Sequence, residues 1–153
     1  MTSIIDKRMN DLETYVNEFR RLALEQAWVS DFPRGVCGDA SEVLGALLLE
    51  HGYGEWELIR CTNSGSSEEM PNTHAWIRQD QTVVDVTYDQ FADMDRCFDP
   101  NAELIQTSEI PLRRRFPKSL GEPRSINLGT IGDRLPLIYR VMKPRLAHLA
   151  SES

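Results

Sequence analysis

The run His74-Ala75-Trp76-Ile77-Arg78-Gln79-Asp80-Gln81-Thr82-Val83-Val84-Asp85-Val86-Thr87 decides how this chain folds. Two β-prone stretches, His74–Arg78 and Thr82–Tyr88, stand on either side of Gln79-Asp80-Gln81, which predicts an antiparallel hairpin. Its register then decides the chemistry. With a two-residue turn at Asp80-Gln81, Gln79 faces Thr82, Ile77 faces Val84, Trp76 faces Asp85 and His74 faces Thr87. Side chains alternate along a strand, so His74, Trp76 and Arg78 share a face with Val83, Asp85 and Thr87. His74 and Asp85 become diagonal neighbours, with Cβ atoms roughly 5.5–8 Å apart, within reach of an imidazole–carboxylate hydrogen bond. A three-residue turn would send Asp85 to the opposite face and remove the pairing.

Working outward, Trp56–Cys61 reads as another strand, joined to the hairpin by the polar loop Thr62–Asn72. Ser64–Glu69 within that loop is either a lid or an idle connection. Upstream the period changes from two to that of a helix. Met9, Leu12, Val16, Phe19, Ala23 and Ala27 form one stripe of a helix from about Ile4 to Trp28, with Thr2 or Ser3 as its cap. Val43, Leu44, Leu47 and Leu48 form the apolar face of a second helix from about Cys37 to Glu50, and Gly52 is placed to end it with a left-handed cap. Downstream, Phe91–Phe98 is a candidate short helix and Pro100–Pro123 reads as mostly loop. Leu135–Leu149 is helical by pattern but fragmented by Pro136 and Pro144. Helices first and strands later predict an α+β fold rather than a wound parallel sheet.

The 153 residues are expected to form one domain, at roughly 100–200 residues per domain. Apolar residues at 41% and charged residues at 27% are those of an ordinary globule, which excludes disorder as the dominant state. A net charge of −7 argues against a nucleic-acid partner held by a broad basic face. No apolar run approaches the roughly 18 residues that cross a bilayer, and MTSIIDKRMNDLETY lacks the apolar core of a secretory signal. Cys37, Cys61 and Cys97 are few, odd in number and without metal spacing, so a reduced cytoplasmic compartment is expected and no metal or cofactor.

Cys37, in Arg34-Gly35-Val36-Cys37-Gly38, opens an apolar helix. A thiol there lies near unsatisfied N–H groups and the positive end of the macrodipole, which favour the thiolate. The competing reading makes Cys37 a small buried apolar residue. Asp85 between valines is unusual, because a carboxylate inside an apolar strand needs a partner, and His74 is on hand. Such a carboxylate fixes the imidazole tautomer and leaves the other nitrogen to meet a thiol. Cys61 reads as a buried small residue and Cys97 as unreactive. His51 at its helix end complements the dipole, and His148 lies near a tail. Arg113-Arg114-Arg115 with Lys118 is either a solvated face or a dock for an acidic partner or phosphate.

Three blocks, Gly35-Val36-Cys37-Gly38-Asp39-Ala40-Ser41-Glu42-Val43-Leu44, His74-Ala75-Trp76-Ile77 and Val84-Asp85-Val86-Thr87, together resemble the transglutaminase-like branch of the papain-like thiol enzymes. The resemblance spans about residues 33–91. It implies a Cys37–His74–Asp85 triad, and a helix bearing the Cys at its start, packed on an antiparallel sheet bearing the His and Asp. It departs from the large calcium-dependent transglutaminases in size and in lacking an acidic loop with metal-site spacing. The implied activity is attack by a thiol on an amide of a protein or peptide substrate, through an acyl-enzyme. Water as acceptor gives a protease, amidase or glutamine deamidase, and an amine gives a transglutaminase. Hydrolysis or deamidation is favoured, since a small domain without a second substrate module has less to exclude water. One oxyanion donor is the backbone N–H of Cys37, with Gln26 or Trp28 as candidates for the second. Trp76 is either a substrate-binding wall of the site or plain core. A catalytically silent binding module on the same fold is the alternative from another class.

Overall fold

A computed structural model of the chain describes residues 4–26, 37–63, 73–88, 103–127, 129 and 135–151; for residues 4–6, 26, 37 and 135–137 it describes the backbone alone. The fold is α+β: helices on one face of an antiparallel sheet, with a short helix on the other. Among the described residues no helix is long and apolar enough to cross a membrane.

Helix α1 (Ile4–Gln26) buries Leu12, Val16, Phe19 and Ala23, the stripe read from the sequence, with Tyr15 and Leu22 beside it. Helix α2 (Cys37–Glu50) has the predicted bounds. It ends as the glycine signal demands. Gly52 adopts φ +88°, Tyr53 N–H reaches back to the Leu48 carbonyl at 2.8 Å, and Gly52 N–H to that of Leu49 at 3.3 Å. This pairing satisfies carbonyls that the helix end would orphan.

The chain then turns back into β1 (Glu57–Thr62), which pairs with β2 (Thr73–Gln79), and β2 with β3 (Thr82–Val84). The hairpin closes in the two-residue register, with Gln79 opposite Thr82 and Ile77 opposite Val84, and Asp80 takes φ +53° as such turns require. The second strand is shorter than its valines predict. Asp85 N–H bonds the Leu104 carbonyl at 2.9 Å and Tyr88 N–H bonds the Asp85 carbonyl at 3.1 Å, so the chain bends after Val84 and the His74–Thr87 rung does not form.

The stretch expected to be mostly loop holds several short elements. They are β4 (Ile105–Gln106) on β3, α3 (Ile110–Arg115) and β5 (Lys118–Ser119); β6 (Arg124–Ser125) follows just beyond that stretch, and both β5 and β6 lie on the outer edge of β1. These pieces are too short to show a period. α4 (Leu135–Leu146) runs through Pro136 and Pro144 without breaking, and a 3₁₀ turn, Ala147–Leu149, follows. Pro136 stands where a helix needs no N–H, and Pro144 falls in the last turn, so each removes little. The predicted Phe91–Phe98 helix, residues 27 and 28 at the end of α1, the Thr2 or Ser3 cap, the Ser64–Glu69 segment and Cys97 lie outside the described residues.

Leu58, Ala75, Ile77 and Val84 face α1, α2 and α4 in the larger core, whereas Ile59, Cys61, Trp76 and Val83 face Leu112 and Phe116 on the α3 side. His51 serves the larger core rather than the helix dipole. It is buried, its Nδ1 accepts the Tyr15 hydroxyl at 2.6 Å, and its carbonyl accepts Ser151 N–H at 2.7 Å. Burial lowers the His51 pKa below its ordinary 6.5, against a smaller opposing pull from Glu50, while Lys143 lowers it further. The unfolded chain therefore takes up the proton first on acidification. The stability His51 supplies is complete above about pH 6.5 and is lost as pH falls from there through the folded value. Melting temperature followed from pH 7.5 to pH 5 is expected to fall more steeply in the native protein than in His51→Gln, which keeps an acceptor for Tyr15 but does not titrate.

Candidate active site

The hairpin brings two of the three expected residues together. His74 Nε2 donates to the Asp85 carboxylate, 2.8 Å from each oxygen, and both side chains are about 1% exposed. With the proton on Nε2, the neutral ring carries its lone pair on Nδ1. Burial keeps water from competing for the carboxylate, so the bond orients the ring and fixes its tautomer.

The ring is caged by aromatics. Phe116 lies 5.2 Å from it and Trp76 5.8 Å, centroid to centroid. Trp76 is wholly buried in this smaller core, so it is a packing residue and not the substrate-binding surface expected of it. Its indole N–H donates to Glu109 Oε2 at 2.9 Å. The Glu109 carboxylate also accepts from Arg113 Nε at 2.8 Å and Arg78 Nη1 at 3.2 Å, and these donors hold its pKa below the usual range despite burial. Glu109 and Phe116 flank α3 at its two ends, so this helix of six residues fixes the cage. Sequence reasoning missed both. One signal was available: Trp76 and Arg78 share the His74 face, and an indole N–H beside a guanidinium on one face calls for a shared acceptor.

Cys37 is the first residue of α2, where its backbone N–H has no helical acceptor. The backbone fixes where that helix start lies. Ile126 packs on Gly45 and donates its N–H to the Trp56 carbonyl, while Arg124, opposite Leu58, pairs with Glu42. Moving back along α2 therefore moves forward along β1. From Gly45 to Cys37 the helix climbs roughly 12 Å, and from Trp56 to Arg60 the strand climbs roughly 13 Å. The start of α2 thus reaches the end of the sheet at which Cys61 pairs with His74. The helix packs on the Ala75 and Ile77 face and His74 points from the other, so the shortest path between them passes over the end of β2, at Thr73.

Cys61 is the cross-strand neighbour of His74, but it is fully buried, as the sequence indicated. Burial pushes its thiol pKa up, against the pull of Arg113, whose Nη1 donates to Sγ at 3.1 Å. Side chains of the other expected oxyanion donors, Gln26 and Trp28, are outside the described residues. So is Cys97. Among the described residues no three His, Cys, Asp or Glu side chains group to hold a metal ion. A cavity of about 670 Å³ between α1 and β4, lined in part by Asn17, Arg20, Tyr88 and Leu104, adjoins the turn that carries Asp85.

No family model, curated protein or solved structure matches this chain. Asp85→Ala leaves a buried imidazole without its acceptor and is expected to cost about 3 kcal/mol in urea unfolding, whereas Asp85→Asn, which keeps a carbonyl oxygen, costs less. Equal losses in the two variants would show that the hydrogen bond does not hold the ring.

Proposed function

We propose that the chain is a thiol enzyme with a transglutaminase-like core, acting on an amide of a protein or peptide through Cys37, His74 and Asp85. The observation that carries this reading is the buried His74–Asp85 hydrogen bond, at the end of the sheet where α2 begins. Burial alone requires some hydrogen-bond partner for the imidazole. A carboxylate partner also fixes the tautomer and supports the cation, as the base of a nucleophile requires.

In this reading Nδ1 of His74 takes the proton of the Cys37 thiol over the end of β2. Asp85 stabilises the imidazolium through Nε2. The thiolate sulfur bonds the amide carbon, the carbonyl π pair moves to oxygen, and the N–H of Cys37 at the helix start donates to the oxyanion. Collapse breaks the C–N bond as the imidazolium returns its proton to the leaving nitrogen, leaving an acyl-enzyme. Water then releases the acid, with His74 again the base. The same intermediate passes to an amine when one reaches it first. Hydrolysis, including glutamine deamidation, is the favoured outcome, because a small domain has less with which to exclude water from the intermediate.

The assignment of the thiol is open to direct measurement. Iodoacetamide at about pH 6 is expected to label Cys37 well ahead of Cys61 and Cys97, since an ordinary thiol with pKa near 8.5 is almost wholly protonated there. Labelling no faster than that of Cys61 sinks the proposal. In a glutamine-rich protein mixture with a labelled amine, mass spectrometry is expected to show glutamine converted to glutamate more than amine incorporation or chain cleavage. Cys37→Ser should abolish the product and His74→Ala should slow it by about 10²–10⁴-fold.

A further inference from the structure

Charge is segregated in this chain. The protein carries a net −7, yet residues 110–126 hold Arg113, Arg114, Arg115, Lys118 and Arg124 against one acid, Glu122. This strap lies along the outer edge of β1, through β5 at one end and β6 at the other. The register adds Arg60. Lys118 is opposite Thr62 and Ser119 opposite Cys61, so Arg60 and Lys118 project from one face as diagonal neighbours. Both are exposed and neither has an acidic partner among the described residues. Several cations elsewhere are matched: Arg78 by Glu57 and Glu109, Lys143 by Glu50, Arg145 by Glu25. The acids of the first turns of α2 are Asp39 and Glu42, and Arg124 holds Glu42.

Position gives the surplus a meaning. The Thr62–Lys118 rung is one step beyond the strand position of Cys61, which pairs with His74, and the face carrying Arg60 and Lys118 is the face on which α2 packs. Leu120, 39% exposed, lies beside them and offers an apolar contact. We propose that Arg60 and Lys118 form a docking face for an acidic polypeptide segment, which selects substrates carrying Asp or Glu close to the amide that Cys37 attacks. The proposal rests on the thiol-enzyme reading for its substrate, but the docking face has its own test. A short acidic segment suits two cations on a chain whose overall charge repels a long polyanion.

The test begins with Cys37→Ser protein, titrated with decaglutamate and separately with decathymidylate, and followed by amide NMR. Decaglutamate is expected to shift the amides of Arg60, Cys61, Lys118 and Ser119. The shifts should weaken in raised salt, vanish in Arg60→Glu/Lys118→Glu and persist in Lys7→Glu/Arg8→Glu, which changes the net charge equally. Shifts indifferent to the first double reversal, or tighter binding of decathymidylate at the same amides, overturn the proposal. A second measurement, in protein with Cys37 intact, compares alkylation by anionic iodoacetate with alkylation by neutral iodoacetamide. That rate ratio should fall about five-fold in Arg60→Glu/Lys118→Glu, since the charges lie within about a Debye length of the helix start. An unchanged ratio removes selection at the thiol. Slow iodoacetamide labelling of Cys37 in the native protein would instead defeat the enzyme reading, and the titration would still decide whether the face binds acid.

Discussion

A carboxylate and an imidazole buried together set the terms for the rest of this structure. Asp85 and His74 are almost wholly removed from water, and neither tolerates that without the other. Their meeting depends on the number of residues in one turn. With Asp80 and Gln81 alone at the tip, the two side chains fall on one face; one more residue would put the carboxylate among Leu58, Ala75 and Ile77, with no donor to meet it. The hairpin register is thus enforced from both sides, by the apolar alternation of Ile77 and Val84 and by the charge that only one alignment can satisfy.

The bend after Val84 follows from the same constraint. An extended strand would carry Asp85 on along the ladder. The turn instead ties its N–H to Leu104 and its carbonyl to Tyr88, anchoring the carboxylate's own backbone at both groups. On the imidazole side, Glu109 holds Trp76 and Phe116 closes over the ring. This cage is made by a helix of six residues that would not persist alone, so its stability comes from the Glu109 bonds and the burial of Leu112. The smaller core therefore acts as a holder for one ring, while the larger core of α1, α2 and α4 carries most of the burial.

What could be read from the sequence divides along a physical line. Periodic segments with an end signal were legible. The stripe of α1, the bounds of α2, the Gly52 cap and the turn at Asp80-Gln81 each rest on a local rule that tertiary contacts did not override. The two-residue pieces β4, β5 and β6 were not legible, because two residues have no period and exist only as partners of β3 and β1. Valine propensity overshot at Val86, where a turn won, and proline as a breaker overshot at Pro144, where the helix had almost ended. For the site, the His74–Asp85 pair was legible because alternation and turn length are arithmetic. The choice for Trp76 between wall and core was not legible, because residue type does not tell a wall facing substrate from one facing a core. The deciding fact is the acceptor Glu109, thirty-three residues away.

The two faces of the sheet divide the work in a way that constrains any chemistry here. The helix that begins at Cys37 packs on one face and His74 is held on the other, so in the proposed thiol-enzyme reading proton exchange between them would occur at the sheet's end. The imidazole itself has almost no exposed surface, so in that reading a leaving nitrogen would have to reach it from the sheet's end. An extended substrate chain lying across the end of β2 would meet that demand. A side-chain amide meets it equally, provided its backbone is held at the rim. The exposed cations Arg60 and Lys118 lie on β1 and β5 at that end of the sheet, which is where such a hold would need to act.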